Sequence, residues 1–209
     1  MRKGFFISVE GLDGSGKTTQ IQSIDDYFRG IGMETIMIRE PGGTEIGEKV
    51  RDILLDACNT GMDSVAEMLL FAASRAQIMA EKILPALNEG KVVICDRFID
   101  SSIAYQGYGR GLDVEEVMAV NLAAVRHVLP DITFFLDKKP EESLRRRREA
   151  TGADRLENER MEFHDRVYKG YKELCKKYPE RIKKLDGDRD IASINGEIIG
   201  NIKYILGRM

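Results

Sequence analysis

Eight consecutive residues, Gly11-Leu12-Asp13-Gly14-Ser15-Gly16-Lys17-Thr18, have the types and spacing of a polyphosphate-binding loop, G-x-x-x-x-G-K-[ST]. Glycines let the backbone curl so that successive N–H groups face one centre, a concave site for phosphate oxygens. An apolar run precedes the loop and a helical pattern follows it, so a helix N-terminus adds its positive end. Lys17 supplies a mobile cation to the outer phosphates, the Thr18 hydroxyl is a ligand for magnesium, and Thr19 continues the same first turn. The bland reading is a glycine-rich turn, and the full motif in its strand-to-helix context argues against it. GTPase switches would need a D-x-x-G and usually an N-K-x-D downstream, and neither follows residue 18. A motor or transporter ATPase would need a longer chain. Small kinases remain, in which this loop holds ATP and a second pocket holds the acceptor.

Further chemistry is spread along the chain. Phe71 and Arg75 are four apart in a helical pattern and so share a face; a flat ring beside a guanidinium suits a nucleobase, although Phe71 alone would more often be a core residue, a reading that Arg75 in the same stripe weakens. Arg39, Arg51 and Arg97 are candidates to grip an acceptor phosphate, because the guanidinium fork matches phosphate oxygens. Arg97 follows Asp96 at the end of an apolar run, where open α/β sheets place ligands. A surface ion pair is the competing reading there, and Arg51 could be a merely solvated helix residue. Asp13 inside the loop is an odd place for a carboxylate beside ATP; it could instead satisfy loop amides.

Five segments together resemble the bacterial thymidylate kinases over essentially the whole chain. They are the phosphate loop, Arg39-Glu40-Pro41-Gly42-Gly43-Thr44, Leu69 to Arg75, Asp96-Arg97-Phe98 with Ser101 to Gly107, and Asp154-Arg155-Leu156-Glu157. The resemblance implies a three-layer P-loop kinase fold with a five-stranded parallel sheet, a homodimer, and transfer of the ATP γ-phosphate to dTMP with magnesium. It implies an acceptor site of Asp13, Glu40, Pro41, Arg51, Phe71, Arg75, Arg97, Ser102, Tyr105 and Gln106. Within it Phe71 stacks on thymine and Arg75, which has only donors, meets O4 but meets the cytosine amino group badly. Such a bond discriminates by ~10⁴ or more, whereas the thymine methyl is worth only ~1–3 kcal/mol, so dCMP should be rejected strongly and dUMP weakly. Pro41 and Gly42 shape the sugar floor, Tyr105 fills the space of a ribose 2′-hydroxyl, and Ser102 and Gln106 reach the base edge or sugar; the last three could also be plain loop structure. By the same resemblance Arg97 lies between donor and acceptor, Asp96 holds magnesium through water, and Asp13 touches the sugar 3′-hydroxyl or magnesium. Family members carry a catalytic arginine either in the phosphate loop or in a lid. Leu12 to Ser15 include none, so the lid, about residues 145–158, must supply it. Arg155 matches the D-R-[IL]-E element and is the expected catalytic residue beside Lys17, Arg97 and Asp13. The run Arg145-Arg146-Arg147-Arg148 could assist it or form a solvated basic face. The Asp186-Gly187-Asp188 turn is expected to border adenine.

These residues need a frame. Short apolar runs (Phe5 to Val9, Thr35 to Ile38, Val92 to Cys95, Ile132 to Leu136, Ile182 to Leu185) suit strands buried on both faces of a parallel sheet. Helical periods separate them: Ile21 to Phe28, Ile46 to Leu54, Val65 to Met79 with a continuation or kink at Pro85, Val114 to His127 after a cap at Asp113, a helix from Pro140, another closing at Tyr178, and Ile191 to Leu206. Strands alternating with helices predict one α/β domain over residues 1–209. A net charge of -3 offers no positive field for nucleic acid or anionic membrane. Three separated cysteines fit neither a disulfide framework nor a zinc site, and no apolar stretch suits a signal peptide or a membrane span. A cytoplasmic location is expected.

Overall fold

The computed structural model describes residues 4–148 and 154–207, leaving the expected Ala150 to Gly152 spacer outside the described residues. In chain order the elements are β1 (Phe5–Glu10), α1 (Lys17–Gly30), β2 (Thr35–Arg39), α2 (Glu45–Leu55) and α3 (Ser64–Ile78). A π-helical stretch, Met79–Ile83, runs into α4 (Leu84–Asn88), followed by β3 (Val92–Asp96) and α5 (Ile99–Ser102). A second π-helical stretch, Ile103–Gly109, precedes α6 (Val114–Ala124), β4 (Ile132–Asp137) and α7 (Pro140–Arg148). The chain then forms α8 (Met161–Lys177), β5 (Ile182–Asp186) and α9 (Ile191–Leu206).

The strands make one parallel sheet in the order β2-β3-β1-β4-β5. Successive side chains of a strand point to opposite faces, and the apolar runs divide accordingly. Phe5, Ile7, Val9, Ile94, Phe134 and Leu136 pack with Ile21, Ile24 and Phe28 of α1 and Ile194, Ile198 and Ile202 of α9. Phe6, Val93, Cys95 and Phe135 pack on the other face with Met68 and Ile78 of α3, Val117 of α6 and Phe163, Val167 and Tyr171 of α8. Burying each such apolar side chain contributes roughly 1.5–3 kcal/mol, which is why continuous apolar runs form the interior strands.

All five predicted strands are present, each one residue longer at its C-terminal end than its apolar run. The added residues are Glu10, Arg39, Asp96, Asp137 and Asp186. Every strand therefore ends in a charge at one edge of the sheet, the edge where open α/β sheets bind ligands. The helix across Pro85 does continue: the π-helical stretch before it widens the turn, and Pro85 stands in the first turn of α4, where it needs no intrahelical donor. The Val114 helix stops earlier than expected, at Ala124, because Arg126 and His127 take left-handed φ of 51° and 59°. Asp113 caps it as predicted, accepting from the amides of Glu115 and Glu116.

One polar tie crosses the apolar layer. Asp100 on α5 accepts from both terminal nitrogens of Arg181, at 2.6 and 2.7 Å, and from the Thr133 hydroxyl at 3.2 Å. Removing one partner of a buried pair strands the other charge, at about 3–5 kcal/mol. Asp100→Ala is expected to lose about 3 kcal/mol in urea unfolding with an unchanged slope; a loss below about 1 kcal/mol would contradict this role.

Candidate active site

The phosphate loop joins the end of β1 to the start of α1. Gly14 and Gly16 have φ of 83° and 103°, left-handed values that favour glycine and turn the loop back on itself. Lys17 is buried, and its Nζ donates to the carbonyls of Gly11 and Leu12, both at 3.2 Å, with Asp13 at 3.6 Å. Burial, and then the charge of Arg97, hold its ammonium below the usual lysine range. Thr18 and Thr19 stand exposed in the first turn of α1.

Glu10, last residue of β1, is fully buried and accepts four hydrogen bonds: Ser8 Oγ at 2.8 Å, the Phe98 amide at 2.7 Å, Ser101 Oγ at 2.5 Å and Tyr171 OH at 3.2 Å. Burial, reinforced by the charge of Asp100, raises its carboxyl above the usual range. The bond to the Phe98 amide fixes the turn after β3, where Arg97 sits at φ 67°. A non-glycine residue there costs on the order of 1–3 kcal/mol and needs surroundings that over-determine it. The Arg97 amide donates to Val9 O at 3.1 Å, and its guanidinium reaches Asp13 Oδ1 at 2.9 Å, Tyr171 OH at 3.2 Å and Ser101 Oγ at 3.3 Å. It also lies over the Tyr105 ring, 5.2 Å from its centroid.

Beside Arg97 opens a cavity lined by both polar and apolar side chains. Every expected acceptor-site residue lines it: Asp13, Glu40, Pro41, Arg51, Phe71, Arg75, Arg97, Ser102, Tyr105 and Gln106. Arg39 and Asp96 line it too. Arg39 pairs with Glu48 at 2.7 Å, and Arg51 donates to the Pro41 carbonyl at 2.9 Å. Phe71 packs against the core and also lines the cavity.

Arg75 is 1% exposed, and its donors are distributed over protein acceptors. Nε donates to Glu40 at 2.6 Å, Nη1 to Ser102 at 2.7 Å and to Asn121, and Nη2 to the Phe98 carbonyl at 3.1 Å. Nη2 also pairs with Glu40. A bond from Arg75 to a base carbonyl, as expected from the sequence, would be shared with one of these acceptors.

Arg155 differs from expectation. It is not a lining residue of the cavity, although its neighbours Asp154 and Leu156 are. Its Nε donates to Leu54 O at 2.8 Å and its Nη1 pairs with Glu67 at 2.7 Å, so it is buried against α2 and α3. Reaching a transferred phosphate would require both contacts to open, and in this arrangement Arg155 anchors residues 154–157. Arg145 and Arg146 of the four-arginine run are exposed. The Asp186-Gly187-Asp188 turn is held by Lys138, whose Nζ donates to Gly187 O at 3.1 Å and Asp188 at 2.7 Å.

Sequence reasoning missed Glu10, Glu67, Ser101 and Tyr171. Two carried a signal: Glu10 continues an apolar strand with a charge, and Glu67 lies one turn before Phe71 on the Phe71–Arg75 stripe.

The family model described as Thymidylate kinase matches residues 9–198. The thymidylate kinase of Thermoanaerobacter sp. (strain X514) is 50% identical over 204 residues, 98% of this chain and all of that relative. That of Clostridium novyi (strain NT) is 47% identical over 205 residues, 97% of this chain and again all of the relative. The crystal structure of thymidylate kinase from Ehrlichia chaffeensis superimposes with a TM-score of 0.78 at 37% identity, covering 96% of this chain and 98% of that one.

The cavity contains a titrating group. Burial lifts the Glu40 carboxyl to about 7 against the opposing pull of Arg75, and its Oε1 has no hydrogen-bond partner among the described residues. A carboxyl raised in the folded state holds its proton there while the unfolded chain has released it. Its contribution to stability is complete below the ordinary value of 4.5 and is lost as pH rises through about 7. Glu40→Gln should therefore flatten part of the decline in unfolding free energy between pH 4.5 and 7.5, measured by denaturant titration. Parallel wild-type and variant curves would contradict the assignment.

Proposed function

The chain belongs to the thymidylate kinase family and is an ATP-dependent kinase that phosphorylates dTMP to dTDP, and we propose that the cavity beside Arg97 is its acceptor site. The observation that carries the proposal is the Arg97–Asp13 contact at 2.9 Å, which joins the phosphate loop directly to the arginine-lined cavity. ATP lies with its phosphates on the loop amides from Gly11 to Thr19 and on Lys17. The phosphate of dTMP lies against Arg97, Arg51 and Arg39, its sugar beside Pro41 and Tyr105, and its thymine against Phe71 toward Arg75, Ser102 and Gln106.

The acceptor already carries an anionic oxygen, so no covalent nucleophile or strong base is needed; alignment and neutralisation of spreading charge do the work. Lys17 exchanges its loop carbonyls for phosphate oxygens. Arg97, held from the backbone by Glu10 and Val9 and from the side by Asp13, keeps its charge between the two phosphates. Asp13 orients Arg97 and faces the sugar. Residues 154–157, anchored by Arg155, border the cavity through Asp154 and Leu156.

Magnesium fits the residues present. The Asp96 carboxylate has one buried oxygen, Oδ1, without a hydrogen-bond partner among the described residues, and the exposed Thr18 hydroxyl is a second oxygen donor on the adjoining loop. Bound with ATP, the ion would neutralise phosphate oxygens.

We further propose a homodimer built on α2 and α3, which pack together and leave Ile53, Val65 and Leu69 exposed. Among the described residues no helix is long and apolar enough to cross a membrane. Three free cysteines suit a reducing compartment, and we place the enzyme in the cytoplasm.

A coupled ADP-release assay with dTMP, dUMP, dCMP, dGMP and thymidine tests the site. We expect dTMP first, dUMP weaker and dCMP near background, with activity lost on chelation of magnesium. Arg97→Ala should lower kcat by roughly 10²–10³-fold, since it removes a preorganised charge at the transferred group. Near-normal turnover in that variant would remove Arg97 from the reaction.

A further inference from the structure

Glu67 lies outside the cavity, yet it decides what one wall can offer. It stands on α3 one turn before Phe71 and two before Arg75, fully buried, with both carboxylate oxygens in use. Oε1 accepts from Gln106 Nε2 at 2.9 Å and Arg110 Nε at 3.1 Å; Oε2 accepts from Arg110 Nη2 at 2.9 Å and pairs with Arg155 Nη1 at 2.7 Å. Two guanidinium groups on one buried carboxyl keep it ionised. Burial alone would raise its titration, but the bonds from Arg110 and Gln106 outweigh burial and bring it below the usual range.

An ionised carboxylate only accepts, so the Gln106 amide must present its NH₂ end to Glu67. That chemistry fixes which way the amide points. A primary amide has two ends, and the end left over is the carbonyl Oε1. Gln106 lines the cavity together with Phe71, Arg75 and Ser102.

We propose that Glu67 is a positioning residue for base selection, locking Gln106 so that its carbonyl faces the acceptor base and accepts from the N3–H of thymine. The inference rests on the acceptor site proposed above. Thymine and uracil carry a proton on N3. Cytosine presents a lone pair there, and two acceptors face each other across the site. An acceptor on this wall adds to the discrimination against cytosine expected from a donor on Arg75, whose guanidinium also binds protein acceptors. Neutralising Glu67 removes the lock: Glu67→Gln has a donor of its own, Gln106 can turn over, and its NH₂ can then meet cytosine N3.

The test is the ratio of kcat/KM for dTMP to that for dCMP in wild type, Glu67→Gln and Glu67→Asp. We expect the ratio to fall about tenfold or more in Glu67→Gln, the loss of one correctly paired polar contact. It should be substantially restored in Glu67→Asp, which keeps the carboxylate. The dTMP to dUMP ratio should stay unchanged throughout, because both bases carry N3–H. A merely structural role would lower all substrates together and leave both ratios alone, and that result overturns the proposal. If Glu67→Gln does not fold, solvent exchange of the Gln106 side-chain amide in ¹⁵N-glutamine-labelled wild type decides. Slow exchange supports the lock, and exchange as fast as an open amide refutes it. A wild type with no preference for dTMP over dCMP removes the acceptor-site reading and this inference with it; a preference that survives Glu67→Gln removes the inference alone.

Discussion

One buried carboxylate holds the two halves of this site in register. Glu10 closes β1, where the phosphate loop begins, and its oxygens bind the Phe98 amide, Ser101 and Tyr171. Those three groups belong to the turn after β3, to α5 and to α8. The donor loop, the strained Arg97 backbone and α8 are thus tied to one point at the sheet's charged edge. A buried carboxylate with one donor would be costly; four donors offset part of the lost hydration, although burial still raises its titration. The lateral order of the sheet makes this possible, since β1 lies next to β3 and their C-terminal ends coincide, Val9 opposite Asp96.

A second constraint is the economy of α3. Glu67, Phe71 and Arg75 recur every four residues on one face; Phe71 and Arg75 belong to the interior and to the cavity wall at once, and Glu67 is buried behind that wall. Phe71 packs on the core and walls the cavity. Arg75 satisfies Glu40, Ser102, Asn121 and the Phe98 carbonyl while its edge borders the ligand space. Rigid elements whose rotamers are locked by packing position ligands better than loops do. Selectivity for a base here comes from donors and acceptors whose directions are set by buried partners rather than from groups left free.

Much of this was legible in the residues. The phosphate loop is a local motif, so its backbone geometry follows from sequence alone, and apolar runs located every strand. The cavity wall was legible by resemblance, and the fold brings Glu40, Phe71, Arg75, Arg97 and Gln106 together from four separate segments. What could not be read were partnerships across the chain. Glu10 with Tyr171 spans 161 positions, and Arg155 with Leu54 spans 101. No periodicity reports such contacts. Arg155 shows the consequence: a motif arginine was expected to point at phosphate, whereas a buried acceptor on a distant helix captures it. Glu10 was the overlooked strand-end charge, because a search for apolar runs stops at Val9, one residue before it.

The account stands on the donor loop and the acceptor cavity meeting at Arg97 under the control of Glu10. A crystal structure with a non-hydrolysable ATP analogue and dTMP bound together tests that most directly. It should show the Arg97 guanidinium within hydrogen-bond distance of the dTMP phosphate and thymine against Phe71, with the Glu10 contacts to Phe98, Ser101 and Tyr171 intact. Thymine outside this cavity, or Arg97 turned away from both phosphates with the Glu10 contacts broken, would contradict it.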